Sequence, residues 1–164
     1  MIYIALGANL PSARWGAPRA TLEAALAAFP AAGLKVARRS RWYGSKPVPA
    51  SDQPDYVNGV AAIETALAPR PLLERLHAIE RDFGRVRGAR NEARVLDLDL
   101  VAYDDLVRDG SDGGPILPHP RLGGRAFVLL PLRDLAPQWR HPATGTALAD
   151  LIAALPPDAA WPLG

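Results

Sequence analysis

Apolar and polar positions change period several times along the chain, and each change marks an element. Ile2 to Leu6 is a short apolar run of strand length that ends at Gly7-Ala8-Asn9. Between Ala17 and Phe29, Leu22, Ala25, Leu26 and Phe29 recur at helical spacing, so a helix is predicted there. Lys35 to Tyr43 mixes polar and apolar positions and reads as a second strand. Gly44 to Pro54 reads as a loop, because Pro47, Pro49 and Pro54 prevent regular pairing. Tyr56 to Ala66 alternates and reads as a strand. Pro71 to Phe83 reads as a helix with Leu72, Leu76, Ile79 and Phe83 on one stripe and a proline near its start. Gly84 to Ala93 is an Arg-rich loop, and Val95 to Tyr103 is a strand. The last third holds a loop over Asp109–Pro120, an apolar helix near Ala126–Leu132 and a short helix near Leu148–Leu155.

The order β-α-β-β-α-β predicts an α+β fold, a ferredoxin-like sandwich with an antiparallel-rich sheet and extra C-terminal helices. Both early helices should pack on one face of that sheet. The other face is left to loops and the C-terminal third, which makes it the natural place for a site. No long linker or internal repeat divides the 164 residues, so one domain over 1–164 is expected.

Composition narrows the chemistry. The chain has no cysteine, which excludes a disulfide scaffold, a zinc–thiolate site, an iron–sulfur cluster and a thiol nucleophile. No apolar run approaches the ~18 residues of a membrane helix. The opening MIYIALGANL lacks the basic and long apolar regions of a signal peptide, so a cytoplasmic location is expected. The net charge is only +2, yet the basic residues are 17 Arg against 2 Lys. Guanidinium forks suit phosphate and carboxylate, although a chain this rich in Ala, Pro and Gly also fits a plain compositional bias. Distribution says more: Arg81, Arg85, Arg87, Arg90 and Arg94 crowd into one segment just before two aspartates.

Those aspartates give the strongest chemical signal. In Val95-Leu96-Asp97-Leu98-Asp99-Leu100-Val101, alternation sends Leu96, Leu98 and Leu100 into the core and leaves Asp97 and Asp99 together on the other face, roughly 6–7 Å apart. Two carboxylates there repel unless a cation or Arg intervenes, and they suit Mg²⁺ shared with substrate phosphates. The plainer alternative is a solvated acidic strand edge. Tyr56 and Asn58 share one face of their strand, where a ring beside an amide can stack on a flat heterocycle and read its edge. His119 stands stiffly between Pro118 and Pro120, and Arg125 opens the next helix, where an anion is favoured. Glu80 falls at the rim of its helix's apolar stripe, and the three histidines show no metal-ligand spacing. No P-loop, GxGxxG or GxSxG motif occurs, so a nucleotide would have to be held by Arg, His and metal.

Several stretches in order resemble the 6-hydroxymethyl-7,8-dihydropterin pyrophosphokinases of folate biosynthesis. They are Tyr3–Leu10, Asp52–Asn58, Gly84-Arg85-Val86-Arg87, Arg94–Asp99, Pro118-His119-Pro120 and Arg125-Ala126-Phe127. The resemblance implies transfer of the β,γ-pyrophosphate of ATP to the hydroxymethyl group of the pterin, with AMP leaving. It implies two Mg²⁺ ions on Asp97 and Asp99, and catalytic roles for Arg85 and Arg94 beside those aspartates. Nucleotide-binding positions would be His77, Glu80, Arg85, Arg87, Arg94, His119 and Arg125. The pterin would meet Ser45, Val48, Tyr56, Asn58 and Phe127. ATP and the pterin are the expected partners, with no nucleic acid and no membrane, and a monomer is expected. The chain departs from the family pattern at Ser45-Lys46, Gly88, Asn91-Glu92-Ala93, Gly114 and Ile116. Two rival readings use the same residues: a metal-dependent phosphohydrolase built on Asp97, Asp99 and Glu80, and a nucleic-acid-binding module built on the Arg cluster. The first leaves Tyr56 and Asn58 idle, and the second lacks the exposed aromatic pattern of RNA-binding sheets.

Overall fold

The structure is a computed structural model that describes residues 1–47, 50–84 and 95–164. Its sheet has six strands: β1 (Ile2–Ala8), β2 (Lys35–Arg39), β3 (Tyr43–Ser45), β4 (Tyr56–Glu64), β5 (Asp97–Tyr103) and β6 (Ala160–Pro162). The helices are α1 (Pro18–Ala28), α2 (Pro69–Asp82), α3 (Ala126–Leu135) and α4 (Leu148–Ala153). The strand order is β5-β1-β4-β3-β6, with β2 pairing β4 beyond the end of β3. Every pairing is antiparallel. Taking β2 and β3 as one interrupted strand, this is the ferredoxin-like arrangement, and the fold class is the expected one.

Alternation divides the sheet into two unequal faces. Ile2, Ile4, Leu6, Ala61, Ile63, Leu96, Leu98 and Leu100 face α1 and α2, where Leu22, Leu26, Leu72, Leu76 and Ile79 complete a core. Tyr3, Ala5, Val60, Ala62 and Val101 face the other way and meet Leu129, Leu132 and Leu148 of the C-terminal helices. Pro at the first turn starts both α1 and α2, where its missing N–H costs nothing. The described residues contain no helix long and apolar enough to cross a membrane.

The boundaries differ from expectation in three instructive places. The predicted strand Lys35–Tyr43 is two strands. Ser40 interrupts it: its N–H donates to the Val60 carbonyl and its hydroxyl accepts from the Val60 N–H, both at 2.9 Å. Gly44 and Ser45, expected in a loop, belong to β3. The short strand β6 was not foreseen. It pairs with β3, and the Trp161 indole lies where a side chain on Gly44 would otherwise stand.

α3 sets the position of the site. It packs on β4 and β3 but covers only part of their second face. Beyond the start of α3, the ends of β1, β3, β4 and β5 are left without a helix above them. That gap is a cavity of about 320 Å³.

Candidate active site

One wall of the cavity is the start of β5. Asp97 and Asp99 both line it, while Leu96, Leu98 and Leu100 between and beside them are buried in the opposite core. Among the described strands β5 is the last of the sheet on that side, so these carboxylates sit near its edge. Arg125, the residue that caps α3, reaches back to the same wall. Its Nη1 lies 3.8 Å from Asp99 Oδ2, and its guanidinium also lies over the Phe127 ring, 5.4 Å from the centroid. The fixed start of α3 thus carries a cation and an aromatic ring into the cavity together.

The opposite wall is built by β3 and β4. Ser45 pairs with Tyr56 across this ladder, and Tyr43 pairs with Asn58. Asn58 is only 4% exposed, and its Nδ2 donates to Ser45 Oγ at 2.9 Å. That bond orients the amide, so its polar edge is presented in one direction. Gly7 of β1 faces Asn58 across the sheet, and a Cβ there would stand 3.2 Å from Asn58 Oδ1. Tyr56 is half-buried and lines the same space. Lys46 stands at the rim with its Nζ 3.5 Å from Asp55 Oδ1.

His119 closes the floor beside β5. Its backbone N–H donates to the Val101 carbonyl at 2.8 Å, and its Nδ1 accepts from the Arg121 N–H at 3.2 Å. With Nδ1 accepting, the neutral ring carries its proton on Nε2 and can donate from there. Burial pushes the imidazole below its ordinary value, and the Arg125 charge pushes the same way. The Asp97 carboxylate opposes them. The resting form is a neutral donor beside two carboxylates and a guanidinium.

The structure therefore brings Ser45, Tyr56, Asn58, Asp97, Asp99, His119, Arg125 and Phe127 around one cavity. Two expected residues are not among its lining. His77 is half-buried on α2, and Glu80 is buried to 1% behind β5, where its Oε2 accepts from the Leu98 N–H at 2.8 Å. Glu80 adjoins the apolar stripe of its helix as expected, and it is buried with that stripe because α2 packs on β5. Val48, Arg85, Arg87 and Arg94 lie outside the described residues. Gly7, Lys46 and Arg121 line the cavity without having been singled out as site residues. Of these, Arg121 carried a signal, since it directly follows the Pro118-His119-Pro120 stretch.

The donor set bears on a metal. Among the described residues no group of three or more His, Asp or Glu side chains forms a ready-made metal cage. Two aspartates on one face supply hard oxygen ligands and leave most of a coordination sphere to water and phosphate. That partial set is the usual one for Mg²⁺ bound with a nucleotide, and the residues present fit it.

Comparison with known proteins points the same way. A family model described as 7,8-dihydro-6-hydroxymethylpterin-pyrophosphokinase matches residues 3–137. The 2-amino-4-hydroxy-6-hydroxymethyldihydropteridine pyrophosphokinase of Pseudomonas aeruginosa is 44% identical over 158 residues, covering 94% of this chain and 91% of that protein. Its counterpart in Synechocystis is 38% identical, covering 98% of this chain and 78% of that protein. Among solved structures, the HPPK-DHPS of Plasmodium falciparum superposes with a TM-score of 0.66 at 13% identity, covering 93% of this chain and 43% of that one. At that identity the likeness is one of fold.

Proposed function

The chain belongs to the 7,8-dihydro-6-hydroxymethylpterin-pyrophosphokinase family, and from that premise we propose that the cavity between β5 and the β3–β4 wall holds both substrates end to end. The enzyme is an ATP-dependent pyrophosphokinase of folate biosynthesis. It moves the pyrophosphoryl group of ATP to the hydroxymethyl group of 6-hydroxymethyl-7,8-dihydropterin and releases AMP. The observation that carries the assignment of residues is that Asn58 and Asp99 line the same cavity of about 320 Å³, an amide on one wall and a carboxylate on the other. A reaction that joins a heterocycle to a phosphate chain needs both chemistries within reach of one another.

In this reading Tyr56 and Phe127 flank the pterin rings, and Asn58, held by Ser45, reads their polar edge. Val48, assigned from sequence, adds a backbone contact. Asp97 and Asp99 would hold two Mg²⁺ ions, which supply neutralising charge to the triphosphate when bound. His119 donates from Nε2 to a phosphate oxygen, and Arg125 stands beside it as a fixed cation. Arg85 and Arg94, assigned from their sequence motifs, compensate charge on the transferred group, and Arg87 acts more peripherally. The hydroxymethyl oxygen bonds to the β-phosphorus, and the bond from that phosphorus to the oxygen bridging it to the α-phosphorus breaks. AMP leaves with that oxygen, and the hydroxyl proton passes to water. Little covalent work falls to the protein, so orientation and charge placement carry the catalysis.

One sheet runs from Ile2 to Pro162, which supports one working domain; a cytoplasmic monomer completes the reading. The test is calorimetric. The pterin and an ATP analogue with a methylene between the α- and β-phosphorus are titrated separately into Asn58→Ala and Asp97→Ala. Asn58→Ala should lose pterin affinity alone and Asp97→Ala nucleotide affinity alone. The reverse pattern, or loss of both ligands in both variants, would remove the end-to-end assignment.

A further inference from the structure

The buried carboxylate of Glu80 is not among the groups that line the cavity. It sits on α2, outside the cavity's lining and 1% exposed, in the buried stripe with Leu76 and Ile79. A carboxylate in such a place is costly unless its oxygens are hydrogen-bonded. A buried ionisable group retained at that cost is a candidate for specifying geometry. Replacing it with a leucine would extend the stripe of Leu72, Leu76 and Ile79 without a break.

What Glu80 touches is informative. Its Oε2 accepts from the Leu98 N–H at 2.8 Å. Leu98 stands between Asp97 and Asp99. Among the described residues β5 is the terminal strand and pairs with β1, where Gly7 faces Asp97, Leu6 faces Leu98 and Ala5 faces Asp99. In an antiparallel pair the backbone groups of alternate residues point toward the partner and away from it. The Leu98 amide, donating to α2, is one that points away from β1. Among the described residues no strand pairs with it on that side, and without an acceptor there the strand is free to twist or fray at this residue. The Glu80 oxygen serves as the acceptor a neighbouring strand would offer, at one of the two peptides that join the aspartates through Leu98.

We infer that Glu80 is a positioning residue for the metal-binding strand: by holding the Leu98 amide at the strand's outer edge, it fixes the relative direction of the Asp97 and Asp99 side chains. The inference rests on the proposed role of those two aspartates. The relevant contact is a short, directional hydrogen bond from a backbone amide to a carboxylate oxygen. It acts through the backbone, so it affects how two carboxylates converge on a cation and leaves the pterin wall, which β3 and β4 build, unaffected.

The test measures Mn²⁺ binding by electron paramagnetic resonance on the full chain with the methylene ATP analogue, and pterin binding by calorimetry. The amide resonance of Leu98 is followed by ¹⁵N-edited spectroscopy. In the wild type that amide proton should be shifted downfield and protected from exchange. Glu80→Ala should weaken Mn²⁺ binding at least tenfold and raise the Mg²⁺ concentration needed for half-maximal activity, with pterin affinity changed less than twofold. Glu80→Gln keeps an acceptor oxygen and should restore Mn²⁺ affinity to within about threefold of wild type. Unchanged Mn²⁺ affinity in Glu80→Ala overturns the inference. So does a parallel loss of pterin and Mn²⁺ binding, which would mark a merely structural group. A Glu80→Gln protein as impaired as Glu80→Ala would show that charge matters and not the hydrogen bond. An exchange-labile Leu98 amide in the wild type would refute the contact without any variant. Full Mn²⁺ affinity in Asp97→Ala would instead sink the parent reading of the aspartates, whatever Glu80 does.

Discussion

Asn58 donates from Nδ2 to the Ser45 hydroxyl at 2.9 Å, side chain to side chain across the β3–β4 ladder, and both residues are buried. Together with a longer one from Nδ2 to the Tyr43 carbonyl at 3.5 Å, this bond holds the ring-reading amide still. Asn58→Ala should therefore weaken pterin binding by about 1–3 kcal/mol, the cost of leaving buried partners unpaired. Ser45→Ala, which frees the amide without removing it, should cost less than Asn58→Ala. Calorimetry on both variants checks this, and equal losses would mean that Ser45 itself contacts the pterin.

Asp97 and Asp99 point away from the packed core, so their removal should spare the fold. Asp97→Ala and Asp99→Ala should each lower kcat by at least about 100-fold, since losing a preorganised charged group at a transferring phosphoryl centre costs roughly 2.7–4 kcal/mol. Thermal unfolding should move little. Asp99 also faces the Arg125 guanidinium at 3.8 Å, and its loss removes that counter-charge. Asp99→Ala should thus bind inorganic anions more tightly than the wild type in a simple competition assay.

His119 is held below its ordinary value, chiefly by burial. A base with a depressed folded-state value binds fewer protons when folded than when unfolded. Stability from this group is then fully present above the ordinary imidazole value of about 6.5 and is lost as pH falls below it. His141 is depressed by burial as well and adds a change of the same sign. Melting temperatures should fall between neutral pH and about pH 5, and His119→Gln should flatten that slope. A proton NMR titration of His119 with its midpoint above 6.5 would contradict the assignment.

Much of this was legible because a half-covered sheet writes its two faces into alternate residues. The sequence Leu96-Asp97-Leu98-Asp99-Leu100 could be read by period alone, and so could Tyr56 and Asn58 against Val57, Ala61 and Ile63. Short elements carry no period. β3 and β6 have three residues each, and their existence follows from mutual pairing that only the folded chain creates. The split at Ser40 depends on a side-chain hydroxyl meeting the Val60 amide 20 residues away. Glu80 has the spacing of a stripe residue and the chemistry of a surface residue. Which property prevails is decided by the packing of α2 against β5, a tertiary fact. The cavity itself arises from where α3 begins, and Arg125 marks that point in sequence without saying how much of the sheet the helix leaves bare.

The unforeseen strand β6 has a consequence for the pterin wall. Gly44 pairs with Trp161, and a Cβ on Gly44 would stand 2.4 Å from the indole Nε1 and 2.7 Å from Cε2. Neither distance can be tolerated, and the obstacle is a rigid ring, so the ring or the strand has to move. β6 is further tied down by the Leu163 N–H donating to the Trp42 carbonyl at 2.9 Å and by Arg19 Nη1 donating to the Gly164 carbonyl at 2.8 Å. The next residue after Gly44 is Ser45, whose hydroxyl holds Asn58. Gly44→Ala should therefore destabilise the protein by about 1–3 kcal/mol through overpacking, and it should also raise the pterin KM more than the ATP KM. Trp161→Ala alone should leave a void and lower stability, and Gly44→Ala combined with Trp161→Ala should recover part of the pterin affinity lost in Gly44→Ala, because the clash is gone. A double variant that binds pterin no better than Gly44→Ala would show that the alanine perturbs β3 directly and that the indole plays no part in shaping the Ser45–Asn58 pair.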